Sequence, residues 1–402
     1  MTTSDSGGQG NTALESKGDR HTYVSVDLGA IAGNVKTVKE LLPWGCRLMA
    51  VVKADAYGHG AVPVARQALA AGADWLGVAL AQEALELRQA GIQAPILVLG
   101  VAAAADYERL LAADIRITLC SSEQAHLLVI AAARLRRPAL AHVKIDSGMG
   151  RIGFFPSAAA KAEILELAKL PGLILEGCFT HFARADEADG GSREGQLAIF
   201  RAFLAQLRDD GLEFPIAHCA NTAMILAMAA ADSGRPPAGI ADGFDMARLG
   251  IGMYGLYPSA VSREWGVPLT PALAWKSRLC HVKWLPAGAA LGYGHTWRAA
   301  KDTLVGTVPL GYADGFSRRL SNRGQVLVGG REAPVIGRVC MDQFMVDLSG
   351  TPAAQAGDEV ALIGVQGGEA LTAEDMAALL DTINYEVVCK IGSRVPRRYD
   401  GG

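Results

Sequence analysis

The stretch AVVKADAYGHG (50–60) sets a lysine at the end of an apolar run. An ammonium is costly to bury, so Lys53 either snorkels to the surface or stands partly desolvated at a functional face. In the second case its pKa falls and the amine can condense with an aldehyde. A second candidate is Gly148-Met-Gly150-Arg-Ile-Gly153, a formal GxGxxG. It follows a strand-like run and precedes a helical stretch and a strand carrying Glu176, the context of a dinucleotide site. Phe154-Phe155-Pro156 separates the third glycine from that helix, however, so the close packing this glycine serves is lost. The pattern therefore argues against NAD. The seven cysteines form no CxxC pair, which speaks against structural zinc and a disulfide framework and for reduced thiols. No metal site is expected.

The elements that must position Lys53 follow a rhythm. Short apolar runs recur: RLMAVVK (47–53), DWLGVAL (74–80), PILVLG (95–100), IRITLC (115–120), AHVKID (141–146), LILEGCFTH (173–181), PIAHCA (215–220) and MARLGIGMYG (246–255). Ala/Leu/Glu-rich stretches with helical spacing separate most of them. Strand alternating with helix predicts right-handed βαβ units and a parallel sheet, here an N-terminal (β/α)8 TIM-type barrel. Lys53 then closes the first strand on the catalytic face. A doubly wound open sheet is the competing architecture. After Leu256, short β-rich runs alternate with Gly/Pro turns, which predicts a C-terminal, mainly antiparallel β domain with one helix at 371–380. The expected boundaries are a disordered tail over 1–20, a barrel over 21–256 and a β domain over 257–402. Residues 21–27 are free to pair with the β domain.

Lysine plus arginine number 38 against 41 acidic residues, a net charge of −3, and there is no basic block, so nucleic acid is not an expected partner. Half of the 402 residues are hydrophobic, yet no apolar run reaches the ~20 residues of a spanning helix. The polar first 20 residues carry no secretory core. These features predict a cytoplasmic chain without membrane contact.

The lysine segment resembles the pyridoxal 5'-phosphate (PLP) lysine motif of the alanine racemase family, and the likeness runs from about residue 22 to 398. KIDSGMGRIG (144–153), THFARADE (180–187), CANTAM (219–224), RLGIGMYGLYPS (248–259), LGYGHTW (291–297), VPLGYADGFSR (308–318), GRVCMDQFMVD (337–347) and INYEVVCKIGSRVPR (383–397) are similar to that family's signatures, in its order. The resemblance implies a PLP barrel, a β domain, and a homodimer with shared active sites acting on L- and D-alanine for peptidoglycan.

By that resemblance Lys53 holds PLP and then serves as one base, Tyr57 reaches the phosphate, and Asn221, Thr222, Gly250 and Ile251 complete its cradle. At Ser393 the family pattern often shows a phosphate-touching tyrosine; a serine stands here. Arg248 faces the pyridine nitrogen. A guanidinium does not release its proton, so that nitrogen accepts and stays unprotonated. Asp245, three residues earlier, is the alternative partner, set aside because the motif aligns on Arg248. Arg151 meets the phenolic oxygen and the substrate carboxylate, Lys144 is a candidate for carbamylation that would orient Arg151, and Met341 adds a backbone N–H. Racemisation needs proton transfer on both faces of Cα, for which two fixed bases are geometrically simpler than one. Tyr293 is the second base by resemblance, hydrogen-bonded to His181. A phenol titrates near ~10, so it needs a cationic or hydrogen-bonded setting. Asp186, Tyr312, Arg318 and Arg338 match an entrance corridor. Three rival readings stay open: a serine-preferring or broad-specificity racemase, a fold-related PLP decarboxylase of basic amino acids, and a non-catalytic PLP carrier.

Overall fold

Strands buried on both faces read as continuous apolar runs, and those runs become strands here. The computed structural model describes residues 20–187, 189–231 and 244–401. The expected tail over 1–20 lies outside the described residues except for Arg20, which pairs with Asp314 at 2.8 Å.

The first strand, β1 (Tyr23–Asp27), does not belong to the barrel. Asp27 ends it and caps the helix Leu28–Leu41, its carboxylate accepting from Ala30 N at 2.9 Å. Then come β2 (Arg47–Val51), β3 (Trp75–Val78), β4 (Ile96–Val98), β5 (Ile115–Leu119), β6 (Ala139–Lys144), β7 (Leu173–Phe179), β8 (Ile216–His218) and β9 (Met246–Leu249). They pair in parallel in chain order from β2 to β8, and β9 returns to β2. Asp245 N and Arg248 N reach Ala217 O and Ala220 O, each at 2.9 Å, across the remaining seam. The sheet is a nearly closed barrel, and the open doubly wound alternative falls. Alternate residues Met49, Trp75, Leu97, Phe179, Ile216 and Met246 fill its inside as a cluster separate from the main core.

The second half contributes β10 (Leu273–Arg278), β11 (His281–Leu285), a small ribbon of β12 (Ala290–Leu291) and β13 (Trp297–Arg298), β14 (Thr303–Val308), β15 (Gln325–Val328), β16 (Arg331–Ile336), β17 (Phe344–Asp347), β18 (Glu359–Gln366), β19 (Glu369–Leu371) and β20 (Arg397–Asp400). One large sheet runs β11-β14-β17-β16-β15-β18-β10-β1-β20. Every pair is antiparallel except β1 with β20. The first and last strands of the described residues thus meet side by side and tie the two halves together. The helix Ala373–Leu380 falls where the sequence placed one, and two short ones, Ala260–Glu264 and Asn384–Cys389, were not anticipated. Among the described residues no helix is long and apolar enough to cross a membrane, and no group of side chains could hold a metal ion.

Candidate active site

A cleft of about 480 Å³ opens where the barrel strands end. Lys53 lines it two residues beyond β2, and the backbone that follows is unusual. Ala54, Asp55, Ala56 and Tyr57 all have φ of 52–53°, a left-handed turn built without glycine. Each such residue costs roughly 1–2 kcal/mol, so the surroundings must enforce the turn. Glu83 accepts from Ala54 N at 2.6 Å, and Asp55 accepts from Ala61 N at 2.7 Å. At Gly58, φ is 80° and an added Cβ would lie 2.4 Å from Val388 O, so only glycine fits. Arg397 Nε donates to Gly58 O at 2.9 Å. The end of the chain therefore buttresses the lysine turn from outside.

The turn brings Tyr57 beneath Lys53, with Nζ 5.9 Å from the ring centre, and packs the ring 4.9 Å from Tyr254. Burial lowers the Lys53 pKa, and Arg151 adds to the effect. Burial raises that of Tyr57, which stays a hydroxyl donor. Beside it, Thr222 opens the helix Thr222–Ala231, and its Oγ1 accepts from Gly250 N at 3.0 Å and Gly252 N at 3.4 Å. Asn221 accepts from Met224 N at 3.0 Å. Asn221, Thr222, Gly250 and Ile251 all line the cleft.

Arg248, on β9, is buried and donates from Nη1 to His218 Nδ1 at 2.8 Å. Its Nη2 donates to Thr180 O at 2.8 Å, Cys219 O at 3.0 Å and His181 Nδ1 at 3.3 Å. None of these acceptors is a carboxylate. Burial brings its pKa down to about 10, so it stays charged at neutral pH. Asp245, the alternative partner, accepts instead from Ala217 N at 2.7 Å and does not line the cleft. Burial, with Arg248, Lys144, Arg151 and Lys53 facing it, lowers His181 to about 2. The ring is neutral, and because Nδ1 accepts, its proton sits on Nε2.

Lys144 ends β6 with only 2 % of its surface exposed, and its Nζ has no hydrogen-bond partner. It hangs 4.8 Å from the Phe179 ring, and burial first, then Arg248, lowers its pKa to about 7. The glycine loop that follows folds back on it. Phe154 N donates to Lys144 O at 2.8 Å, and a Cβ on Gly153 would meet that oxygen at 2.7 Å. Asp146 fixes the loop by accepting from Gly150 N at 2.9 Å, which leaves Arg151 at the cleft. The next helix starts only at Ala158, so the GxGxxG pattern is not the strand-to-helix turn of a dinucleotide site.

The cleft thus gathers Lys53, Tyr57, Lys144, Arg151, His181, Asn221, Thr222, Arg248, Gly250 and Ile251. It does not gather Tyr293, Met341, Tyr312, Arg318 or Arg338, which belong to the second half of the chain. Tyr293 and Met341 are 70 % and 53 % exposed. Tyr312 N donates to Cys340 O at 3.1 Å, which ties its turn to that of Met341. Asp186 lies outside the lining too, its carbonyl accepting from Ser259 Oγ at 2.9 Å. Ser393 is exposed and also lies outside, whereas Tyr385 and Cys389 of the unanticipated helix Asn384–Cys389 line the cleft. Burial raises the Cys389 thiol and Lys53 draws it back. Sequence reasoning missed both, although they sit in the same INYEVVC segment.

Two family models match the chain, alanine racemase N-terminal domain over residues 26–258 and alanine racemase C-terminal domain over 272–399. This chain belongs to the alanine racemase family. It is 46 % identical to the alanine racemase of Symbiobacterium thermophilum over 96 % of this chain and 99 % of that one. Against the enzyme of Desulfovibrio desulfuricans the identity is 44 %, over 95 % and 98 %. The crystal structure of alanine racemase from Bacillus anthracis with bound L-Ala-P superposes with a TM-score of 0.89 at 39 % identity, covering 96 % of this chain and 97 % of that one. The Clostridium difficile enzyme in complex with cycloserine gives 0.86 at 37 %, covering 95 % and 96 %.

Proposed function

We propose that the chain interconverts L- and D-alanine on bound pyridoxal 5'-phosphate, in the cytoplasm, as a homodimer with shared active sites that supplies D-alanine for peptidoglycan. The observation that carries this reading is Arg248, a buried guanidinium at the barrel mouth with no carboxylate among its acceptors. Set against a pyridine nitrogen, it donates and keeps that nitrogen unprotonated. A carboxylate there would protonate the ring and favour side reactions such as transamination.

The residues present fit the cofactor. Lys53 offers an amine of lowered pKa for its aldehyde. The Tyr57 and Thr222 hydroxyls, with the start of a ten-residue helix, suit a phosphate dianion. When bound, the cofactor acidifies the Cα–H of the amino acid joined to it. Lys53 then takes or returns a proton on one face of Cα. Tyr293, supplied by a second copy, serves the other face. The His181 Nε2–H is available to donate to the Tyr293 oxygen, the setting a phenol needs to act at neutral pH. Arg151 and the Met341 N–H hold the substrate carboxylate, and Asp186, Tyr312, Arg318 and Arg338 line the way in. Lys144, buried and unpartnered, suits conversion to a carbamate, an anion able to orient Arg151.

The test is direct. Purified protein is incubated with the cofactor and L-alanine or L-serine, and the products are resolved by chiral chromatography. D-Alanine should form, and faster than D-serine. Release of carbon dioxide without D-alanine would replace this reading with decarboxylation.

A further inference from the structure

Barrel interiors are ordinarily filled by branched aliphatic side chains. Here two imidazoles, a carboxylate and a guanidinium run behind Arg248 in single file. A guanidinium only donates, so His218 Nδ1, 2.8 Å from Arg248 Nη1, must accept. His218 is wholly buried and stacked 4.7 Å from Phe179, and burial together with Arg248 keeps it neutral. Its one proton is then on Nε2, 2.9 Å from His142 Nδ1. His142, also wholly buried and neutral, must accept there and carry its own proton on Nε2. That atom faces Glu176 Oε2 at 3.4 Å. Arg116 Nε grips the same carboxylate oxygen at 3.1 Å and its Nη1 reaches Asp114 at 2.8 Å. Burial works against the Glu176 anion, yet the bonds from His142 and Arg116 hold it below the ordinary carboxylate range.

The backbone is shaped around this file. An added Cβ on Gly177 would lie 2.4 Å from His142 Nδ1, so glycine there makes room for the ring. The register of β6 against β7 shifts between Ala141 and His142.

We propose that Glu176, backed by Arg116, is a positioning residue for the reaction: through His142 and His218 it fixes both rings as Nε2–H tautomers and so holds Arg248 in place at the cleft. This rests on the reading that Arg248 faces the pyridine nitrogen. The carboxylate can only accept, so it admits one direction of the file. The reverse direction would set a His218 Nδ1–H against an Arg248 N–H, donor to donor. The arrangement also gives a buried cation a counter-charge two rings away, leaving neutral acceptors on the guanidinium itself.

Neutron diffraction of the holoenzyme, exchanged into heavy water, should show deuterium on Nε2 of His142 and of His218 and none on either Nδ1. E176Q replaces a one-way acceptor with an amide able to donate or accept. Its kcat should fall about five- to twentyfold, the difference between a charged and a neutral hydrogen-bond partner, with KM for alanine within about twofold. In an R248K background the same substitution should cost under about twofold, because the residue it acts through is gone. R116Q enters the file from the far side and should reproduce the E176Q pattern if E176Q does not fold. Deuterium on either Nδ1, an unchanged kcat, or equal losses in both backgrounds would overturn the proposal. Absence of racemisation by the wild type would overturn the assigned activity and the positioning role together, whereas Nδ1 deuterons in an active enzyme overturn the file alone.

Discussion

Replacing Lys144 by methionine should make the apoprotein more stable, although Lys144 stands inside the candidate active site. The ammonium is buried, has no hydrogen-bond partner, and faces Arg248 and Arg151. Its pKa drops from 10.5 to about 7, which at ~1.4 kcal/mol per tenfold corresponds to roughly 5 kcal/mol against the protonated state. Local relaxation and water entry make this an upper bound. Between pH 7 and 10.5 the unfolded chain keeps the proton and the folded chain has lost it, so wild-type stability rises with pH across that window. Below pH 7 both states are protonated and the penalty is fully present. In carbon-dioxide-free buffer, the urea midpoint of Lys144→Met should exceed wild type most at pH 6, and the gap should close towards pH 10. Bicarbonate should stabilise the wild type alone, because the neutral amine adds carbon dioxide, releases a proton and leaves an anion among cations. Parallel pH profiles for the two proteins, with no response to bicarbonate, would refute the reasoning.

Two further perturbations read the site from other sides. Gly58→Ala forces a Cβ to within 2.4 Å of Val388 O at a φ of 80°, so it should destabilise the fold by about 2–4 kcal/mol and weaken cofactor binding; a urea melt and a cofactor titration check both. Arg248→Glu should protonate the cofactor ring, giving a long-wavelength absorbing species with alanine and slower racemisation. A spectrum identical to wild type would mean that Arg248 does not face the ring.

Much of the barrel was legible because parallel strands buried on both faces leave unbroken runs such as PILVLG and IRITLC, and these became β4 and β5. The chemical promise of Lys53 was also legible, since a cation ending an apolar run is anomalous by itself. What positions it was not. Ala54 to Tyr57 carry no glycine to announce positive φ, and the turn is imposed by Glu83 from 29 residues away. The helix Asn384–Cys389 hid behind Val387 and Val388, whose β-branched pair favours a strand in isolation. His142 and His218 lie 76 residues apart in two separate apolar runs. Only the closed barrel sets them 2.9 Å apart.

Tyr293 stands apart from the other candidate groups. It stands 70 % exposed on a short turn of the second half and does not line the cleft that holds Lys53. Met341 is likewise more than half exposed. The proposed two-base reaction needs a second base on the face of Cα opposite Lys53, and the other titratable groups of the cleft's lining are engaged or held protonated: Glu386 is bound by Lys390 and Thr382, burial raises the Cys389 thiol and lifts Tyr385 well above the ordinary phenol, and His181 already accepts from Arg248. A head-to-tail pair of chains resolves this, since a two-fold axis lets each second half cover the other chain's barrel and shield the reacting carbon from water. Lys53→Ala and Tyr293→Ala should each abolish activity as pure proteins, by at least about a thousandfold. Mixed under conditions that exchange subunits, they should recover it. One site of every mixed dimer then carries both defects and the other carries neither. Random pairing makes half the dimers mixed, so about a quarter of all sites should work. If exchange is demonstrated by mass spectrometry and no activity returns, Tyr293 serves its own chain or is not the second base.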